Sequence, residues 1–502
     1  MNKKKIFYNV LSGLFSQAVS FLLAFLIPRL FLVNFGSEIK GMLATITQIF
    51  SYLWLLEAGV GLATVQALYA PISRRDRESI RSIMAATDRY YKKTGYIYLC
   101  LIFVFALVFS VISKDSMTPQ TTFLLVLFQG IPTASGYLLQ GKYRLLLEAE
   151  GKSYILNNLQ IGLQFFFNAG KVFLLYTTDN LLLIQALPCL GTIFQLCFFE
   201  YYIHKNYPWL RLKEAIPDYS SIAQKSAVLI HQISGVVFNN TDVILLSMFC
   251  GFKVSSVYTV YNSFFTYAGT LINTLSSSIT FHMGQVFHSD RQRFFRLQEG
   301  YEAGYMMVIF TVYTMVYLFI TPVIRLYTDG VNDIRYVDPI LPFLFVTINL
   351  FAYGKMPCNQ VIIFAEHFEK TRHHALIEAG INLVVSIISI QFWGIYGALA
   401  GTIAALIYRG NIMIFYANKI ILHCSPWRTY KKWLINLTAF FFIIAFLHPE
   451  QASENTWGSV FIQCIGYGIL VSVFYITINC IAQPAAAKFF AQYVKDQLLQ
   501  KR

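Results

Sequence analysis

Apolar runs of about twenty residues, separated by short polar and basic breaks, follow one another along the whole chain. A helix needs about 20 mainly apolar residues to cross a bilayer core, with a range of about 17–25. The runs predict spans at 6–32, 41–69, 95–112, 120–140, 154–176, 181–203 and 222–249. They continue at 255–281, 301–326, 339–364, 375–391, 395–417, 433–446 and 457–480, the 433–446 run being short and aromatic. The first run exceeds a signal-peptide core of about 7–15 residues and ends in Pro28-Arg29-Leu30-Phe31 rather than at a small-residue cleavage site. It reads as an uncleaved first helix. The fold class implied is an all-α polytopic membrane protein with about 14 transmembrane helices.

The breaks give the orientation. With the N-terminus inside, the inner loops are 70–94, 141–153, 204–221, 282–300, 365–374 and 418–432. Together with both termini and Lys225, these segments hold about 30 of the 39 Lys and Arg. The outer loops hold about four, Lys40, Lys114, Lys253 and Arg335, which is the asymmetry of a positive cytoplasmic face. Adding or dropping one helix in mid-chain would invert half the loops and destroy it. The expected location is a bacterial inner (plasma) membrane, with N- and C-termini cytoplasmic. No connection exceeds roughly 25 residues. The chemistry is therefore expected inside the helix bundle.

Composition narrows this further. The chain is 56% hydrophobic and only 13% charged, against about 25% charged in soluble domains, and its mean hydropathy is +0.54. The net charge of +14 is concentrated between apolar runs, which argues against nucleic acid. The eight Cys are scattered singly, so neither a disulfide framework nor a zinc site is indicated. None of the nine His has metalloprotease spacing, and no phosphate-binding Gly-rich loop is present. An enzyme is not expected, nor a metal, nor any cofactor beyond a coupling H+ or Na+.

Ionisable residues inside spans are costly and mark candidate sites. Glu57 lies halfway along the second predicted span, Arg409 near the middle of the twelfth, and Lys355 somewhat inside the middle of the tenth. Arg29 and Lys171 fall in the outer parts of the first and fifth spans, and Asp242 in the outer half of the seventh. Each is open to a simpler reading, as a structural ion pair or a side chain snorkelling to the headgroups. Cations from both halves facing one cavity would suit a phosphate or pyrophosphate, to which Arg offers a planar fork of donors. Prolines also interrupt several spans, among them Pro132, Pro188, Pro322 and Pro357, and broken helices accompany transport paths.

A faint internal repeat sets 28–36 against 241–249, an offset of six helices, which implies parallel repeats. The segment Ile27-Pro-Arg-Leu-Phe-Leu-Val-Asn-Phe-Gly-Ser-Glu38, with Gly41, Thr47-Gln48, Leu56-Glu-Ala-Gly-Val-Gly61 and Ala67-Leu-Tyr-Ala-Pro71, resembles the Wzx-type polysaccharide exporters, as does Asn239-Asn-Thr-Asp-Val243. These belong to the multidrug/oligosaccharidyl-lipid/polysaccharide exporter (MOP) superfamily. The resemblance is most specific over the first two spans and the loop after them, and topological beyond.

It implies two six-helix bundles related by a pseudo-two-fold along the membrane normal, around a central cavity, plus two extra C-terminal helices. The layout would be 1–204, a linker at 205–221, 222–418, and 419–502 for the added helices and tail. It further implies a flippase that carries undecaprenyl-(pyro)phosphate-linked oligosaccharide, an O-antigen or exopolysaccharide precursor, from inner to outer leaflet by alternating access. The bilayer, the lipid-linked glycan and polymerase or glycosyltransferase machinery would be its partners. Arg29, Glu57 and Asp242 fall on the matching motifs. Lys171, Lys355 and Arg409 come from the span reading alone. Phosphate binding is expected of Arg29, Arg409, Lys171 and Lys355, and ion coupling or cavity lining of Glu57 and Asp242. The competing reading is a cation-coupled multidrug exporter, whose cavity would be acidic. A polymerase or ligase would need a large outer loop, which the chain lacks.

Overall fold

The computed structural model describes residues 3–53, 55, 60–222, 226–447 and 456–484. Among them the backbone forms helices and connecting turns and no strand. Nine helical segments among the described residues are long and apolar enough to cross a membrane. Other helices matching the predicted spans are shorter, such as the 15-residue Val60–Arg74, or more polar, such as Ser153–Thr177 with its Asn, Gln and Lys. Large apolar side chains stay on the surface: Phe166 is 69% exposed, Phe392 and Met248 74%, and Ile462 72%. Soluble monomers rarely leave so many large apolar side chains in water, whereas acyl chains accept them. The chain is an all-α, multi-pass membrane protein.

It divides into two compact units, Met1–Val236 and Val237–Arg502. The first holds α1 (Lys3–Leu53), α2 (Val60–Arg74), α3 (Arg77–Ile112), α4 (Pro119–Ser135), α5 (Gly141–Ala149), α6 (Ser153–Thr177) and α7 (Leu181–Asn206). The first two predicted spans meet inside α1 at Gly36, whose φ of 76° and ψ of 175° make it a kink between two helices. Only glycine adopts that conformation readily. The Asp76 carboxylate caps α3, accepting from the Glu78 and Ser79 backbone N–H groups at 3.1 Å. Pro119 opens α4, where its missing N–H costs nothing. α4 passes into α5 through one turn of π-helix, Gly136–Gln140. After α7 the chain folds back on α3: the Asp218 N–H donates to the Ser82 carbonyl at 3.2 Å, and Arg81 pairs with Glu214 at 3.7 Å. The segment expected as a linker, 205–221, is thus packed on the first unit.

α8 (Ser226–Phe249) carries the chain into the second unit. There follow α9 (Phe252–Ser289), α10 (Arg291–Tyr327), α11 (Leu341–Gly354), α12 (Met356–Phe364) and α13 (Phe368–Trp393), then α14 (Ile395–Phe415), α15 (Trp427–Phe446) and α16 (Trp457–Ala482). Gly251, between α8 and α9, has φ 87° and ψ 166°, nearly the conformation of Gly36. Each unit therefore turns at the same kind of glycine, close to the place where the faint repeat aligns. α9 and α10, of 38 and 37 residues, are each about 55 Å long against a hydrocarbon core of about 30 Å. They meet at Asp290, which caps α10 by accepting from the Arg293 N–H at 2.9 Å.

α13 and α14 form a tight hairpin at Gly394. A Cβ on Gly397 would lie 2.2 Å from the Ser389 carbonyl oxygen, and one on Gly401 2.2 Å from Ser386 Oγ. This small-x-x-x-small seam lets the two backbones touch. α15 and α16 belong to the core of the second unit: Lys432 of α15 pairs with Glu302 of α10 at 2.5 Å, and the Tyr475 hydroxyl of α16 lies 2.9 Å from that of Thr314.

Candidate functional site

Three of the in-span candidates lie in the second unit, and two of them meet. The apolar run predicted at 339–364 is broken between Gly354 and Met356. Pro357 has no N–H to extend the ladder, and its carbonyl accepts from Gln298 Nε2 at 3.2 Å. Gly354 is demanded by packing, since a Cβ there would lie 2.0 Å from the Trp433 ring. Lys355 sits at the break and donates through Nζ to Glu378 Oε1 at 2.6 Å. The other carboxylate oxygen, Oε2, lies 3.4 Å from Arg409 Nε, and Arg409 Nη1 donates to the Thr371 carbonyl at 3.3 Å. The three side chains are 12%, 12% and 6% exposed. One carboxylate thus serves two cations, and among the described residues the cluster is net positive and largely buried. Such charges persist only where partners surround them.

A second cluster forms where the glycine seam brings α13 and α14 together. Thr402 Oγ1 donates to Asp242 Oδ2 at 2.7 Å, and the Tyr258 hydroxyl donates to the same oxygen at 3.1 Å. Asn382 Nδ2 donates to Thr402 Oγ1 at 2.9 Å. Nearby, Ser386 Oγ donates to the Ala398 carbonyl at 3.2 Å. Asp242, Asn382 and Thr402 are all buried, at 3%, 0% and 5% exposure. Two oxygens, Asp242 Oδ1 and Asn382 Oδ1, are buried with no hydrogen-bond donor among the described residues. Unsatisfied buried acceptors are expensive. A proton or a small cation at Asp242 would give its bare oxygen a partner. Carboxylate, amide and hydroxyl oxygens are the ligands hard cations prefer.

The remaining candidates are dispersed. Arg29 in α1 and Lys171 in α6 are partly exposed residues of the first unit. Glu57 lies outside the described residues. Glu378 escaped the sequence reading although the same rule applies to it, because it sits only a few residues into the 375–391 span. Asn382, Tyr258 and Thr402 are uncharged, and nothing in the sequence distinguishes them from ordinary in-span polar residues.

No protein-family model matches the sequence, and no curated protein does. Solved structures do match. The lipid II flippase MurJ, in an inward closed conformation, is 16% identical with a TM-score of 0.64, covering 93% of this chain and 98% of that one. An inward-facing multidrug resistance transporter of the MATE family and MOP superfamily is 12% identical with a TM-score of 0.58, covering 82% and 95%. A MOP superfamily transporter from Pyrococcus furiosus, described by the reverse polarity of its binding pocket, is 13% identical with a TM-score of 0.50, covering 82% and 94%. At these identities the likeness is one of fold: the chain has the fold of MOP superfamily transporters.

Proposed function

We propose that this protein is a flippase that moves a lipid-linked oligosaccharide with a phosphate or pyrophosphate head from the inner to the outer leaflet of a bacterial inner membrane. The observation that carries the reading is the net-positive cluster of Lys355, Arg409 and Glu378. An exporter of organic cations has no use for surplus buried positive charge. An anionic head does, and Arg can meet its oxygens through two parallel donors. The extent of the likeness also supports the reading, since the flippase fold extends over 93% of the chain and the MATE fold over 82%.

The mechanism follows from the two clusters. The phosphate would draw Lys355 and Arg409 partly away from Glu378, exchanging one anionic partner for another at little desolvation cost. Asp242 would carry the coupling ion, H+ or Na+, which would complete the oxygen shell shared with Asn382 and Thr402. Thr402 and Arg409 lie two turns apart on α14, so changes at the ion cluster reach the phosphate cluster through one rigid helix. Alternating exposure of the site to the two leaflets then transports the head while the lipid tail stays in the bilayer. Both termini would be cytoplasmic, as the Lys and Arg distribution requires.

Deleting the gene in its host and restoring it with Arg409→Ala tests the reading. Loss of surface glycan with lipid-linked precursor retained inside, at normal protein level, is the expected result. Unchanged surface glycan on deletion would overturn it.

A further inference from the structure

The first unit holds a half-open cavity whose described lining includes none of the charged candidates. It has a volume of about 660 Å³ and is walled by α2 to α7, within the roughly 300–1,000 Å³ typical of small-ligand sites. Its origin is local. The π-turn Gly136–Gln140 inserts an extra residue between α4 and α5, and such turns recur at functional sites. The Tyr91 ring lies against the next glycine, where a Cβ on Gly141 would be 2.3 Å from it. Gly136 faces open space instead, with nothing within 4 Å of a Cβ.

The wall chemistry is specific. Gln140, Gln160, Gln195, Ser153 and Thr192 bring amides and hydroxyls from α6, α7 and the π-turn. Gln140 is only 6% exposed, and its side-chain amide, which has no hydrogen bond to a described side chain, lines the cavity. Each amide both donates and accepts, as each hydroxyl does. Tyr91, Tyr137 and Phe199 add ring faces. Among the described lining residues the charged ones, Arg144 and Glu148, are of opposite sign and one turn apart on α5, so their charges balance.

We propose that this cavity binds a short, neutral oligosaccharide. Sugar hydroxyls need partners that donate and accept, which the Gln, Ser and Thr side chains supply, and the apolar face of a pyranose needs an aromatic ring. An inorganic anion or an organic cation finds no surplus charge here, and an acyl chain would strand the amides. The proposal rests on the glycan reading above and concerns the first unit by itself, as a sugar-binding subsite.

The test is calorimetric titration of the purified full-length protein in lipid nanodiscs. Maltotriose and triacetylchitotriose serve as neutral probes, with pyrophosphate and tetraphenylphosphonium as charged ones. Saturable binding of at least one neutral probe at millimolar or lower concentration is expected, weakened about tenfold or more by Gly136→Leu, which fills the cavity, and by Gln140→Leu. Melting curves of both variants establish that they are folded, and either one alone suffices. No binding of either neutral probe, binding indifferent to the folded variants, or displacement of the sugar by a tighter charged probe overturns the assignment. If sugar binds but gene deletion leaves surface glycan intact, the flippase reading fails and the cavity assignment stands. If export needs the protein while binding and export ignore Gly136→Leu, the reverse holds.

Discussion

Lys355 and Glu378, from the break between α11 and α12 and from α13, meet at 2.6 Å in the interior of the second unit. Arg409 reaches the other oxygen of the same carboxylate at 3.4 Å. On the function proposed above, Glu378 would act as a placeholder for an anion, holding two cations in position and exchangeable for a phosphate.

Removing that carboxylate should be severe. Glu378→Gln leaves two buried cations facing a neutral amide, and breaking a buried pair costs about 3–5 kcal/mol. The melting temperature in detergent should fall clearly. The exposed pair Arg428–Glu299, whose side chains are 42% and 38% exposed, provides the contrast. Glu299→Gln should cost about 0–1 kcal/mol.

The Asp242 cluster predicts ion dependence. A cation bound only to the folded state raises stability with its concentration. If sodium is the coupling ion, it should raise the melting temperature above that in choline at equal ionic strength, and Asp242→Asn and Thr402→Val should abolish the rise. If the proton is, sodium should have no effect and the pH dependence of transport should vanish in Asp242→Asn. An Asp242→Asn protein with wild-type responses to both ions would exclude the site.

The two glycine classes should separate cleanly. Gly401→Ala places a Cβ 2.2 Å from Ser386 Oγ and 2.6 Å from its backbone nitrogen, an overpacking worth about 1–3 kcal/mol. Gly136→Ala meets nothing within 4 Å and gains helix propensity, so its melting temperature should be unchanged or slightly higher.

Topology is checked by single cysteines introduced in a background lacking the eight native ones. Asp115→Cys should react with an impermeant maleimide in intact spheroplasts, and Asp290→Cys only after permeabilisation. The opposite pattern would invert the orientation read from Lys and Arg.

Much of this fold is legible in the sequence because a bilayer imposes a simple code of length and apolarity. The predicted spans fall on described helices, except where 41–69 runs through 54 and 56–59, where 222–249 runs through 223–225, and where 339–364 begins before α11 and is broken at Lys355. What the code misses is local and tertiary. The π-turn at Gly136–Gln140 leaves hydropathy unchanged, and so does the break at Gly354. Lys355 and Arg409 stood out as charges in lipid, but their shared partner Glu378 did not. The Asp242–Thr402 bond spans 160 residues and depends on a glycine seam whose closeness appears only once α13 and α14 are packed. Arg29 and Lys171 stand out on the same grounds as Lys355, yet they belong to the first unit and Lys355 to the second.

The central claim is tested most directly by reconstituting the purified protein in liposomes carrying a lipid-linked oligosaccharide in both leaflets, and following how much becomes accessible to an external glycosidase. The account predicts that wild-type protein makes the inner-leaflet pool accessible, and that Lys355→Ala/Arg409→Ala protein, folded and equally reconstituted, does so about tenfold or more slowly, a loss of at least about 1.4 kcal/mol. Wild-type liposomes that expose no more substrate than protein-free ones, or a double variant that transports at the wild-type rate, would contradict it.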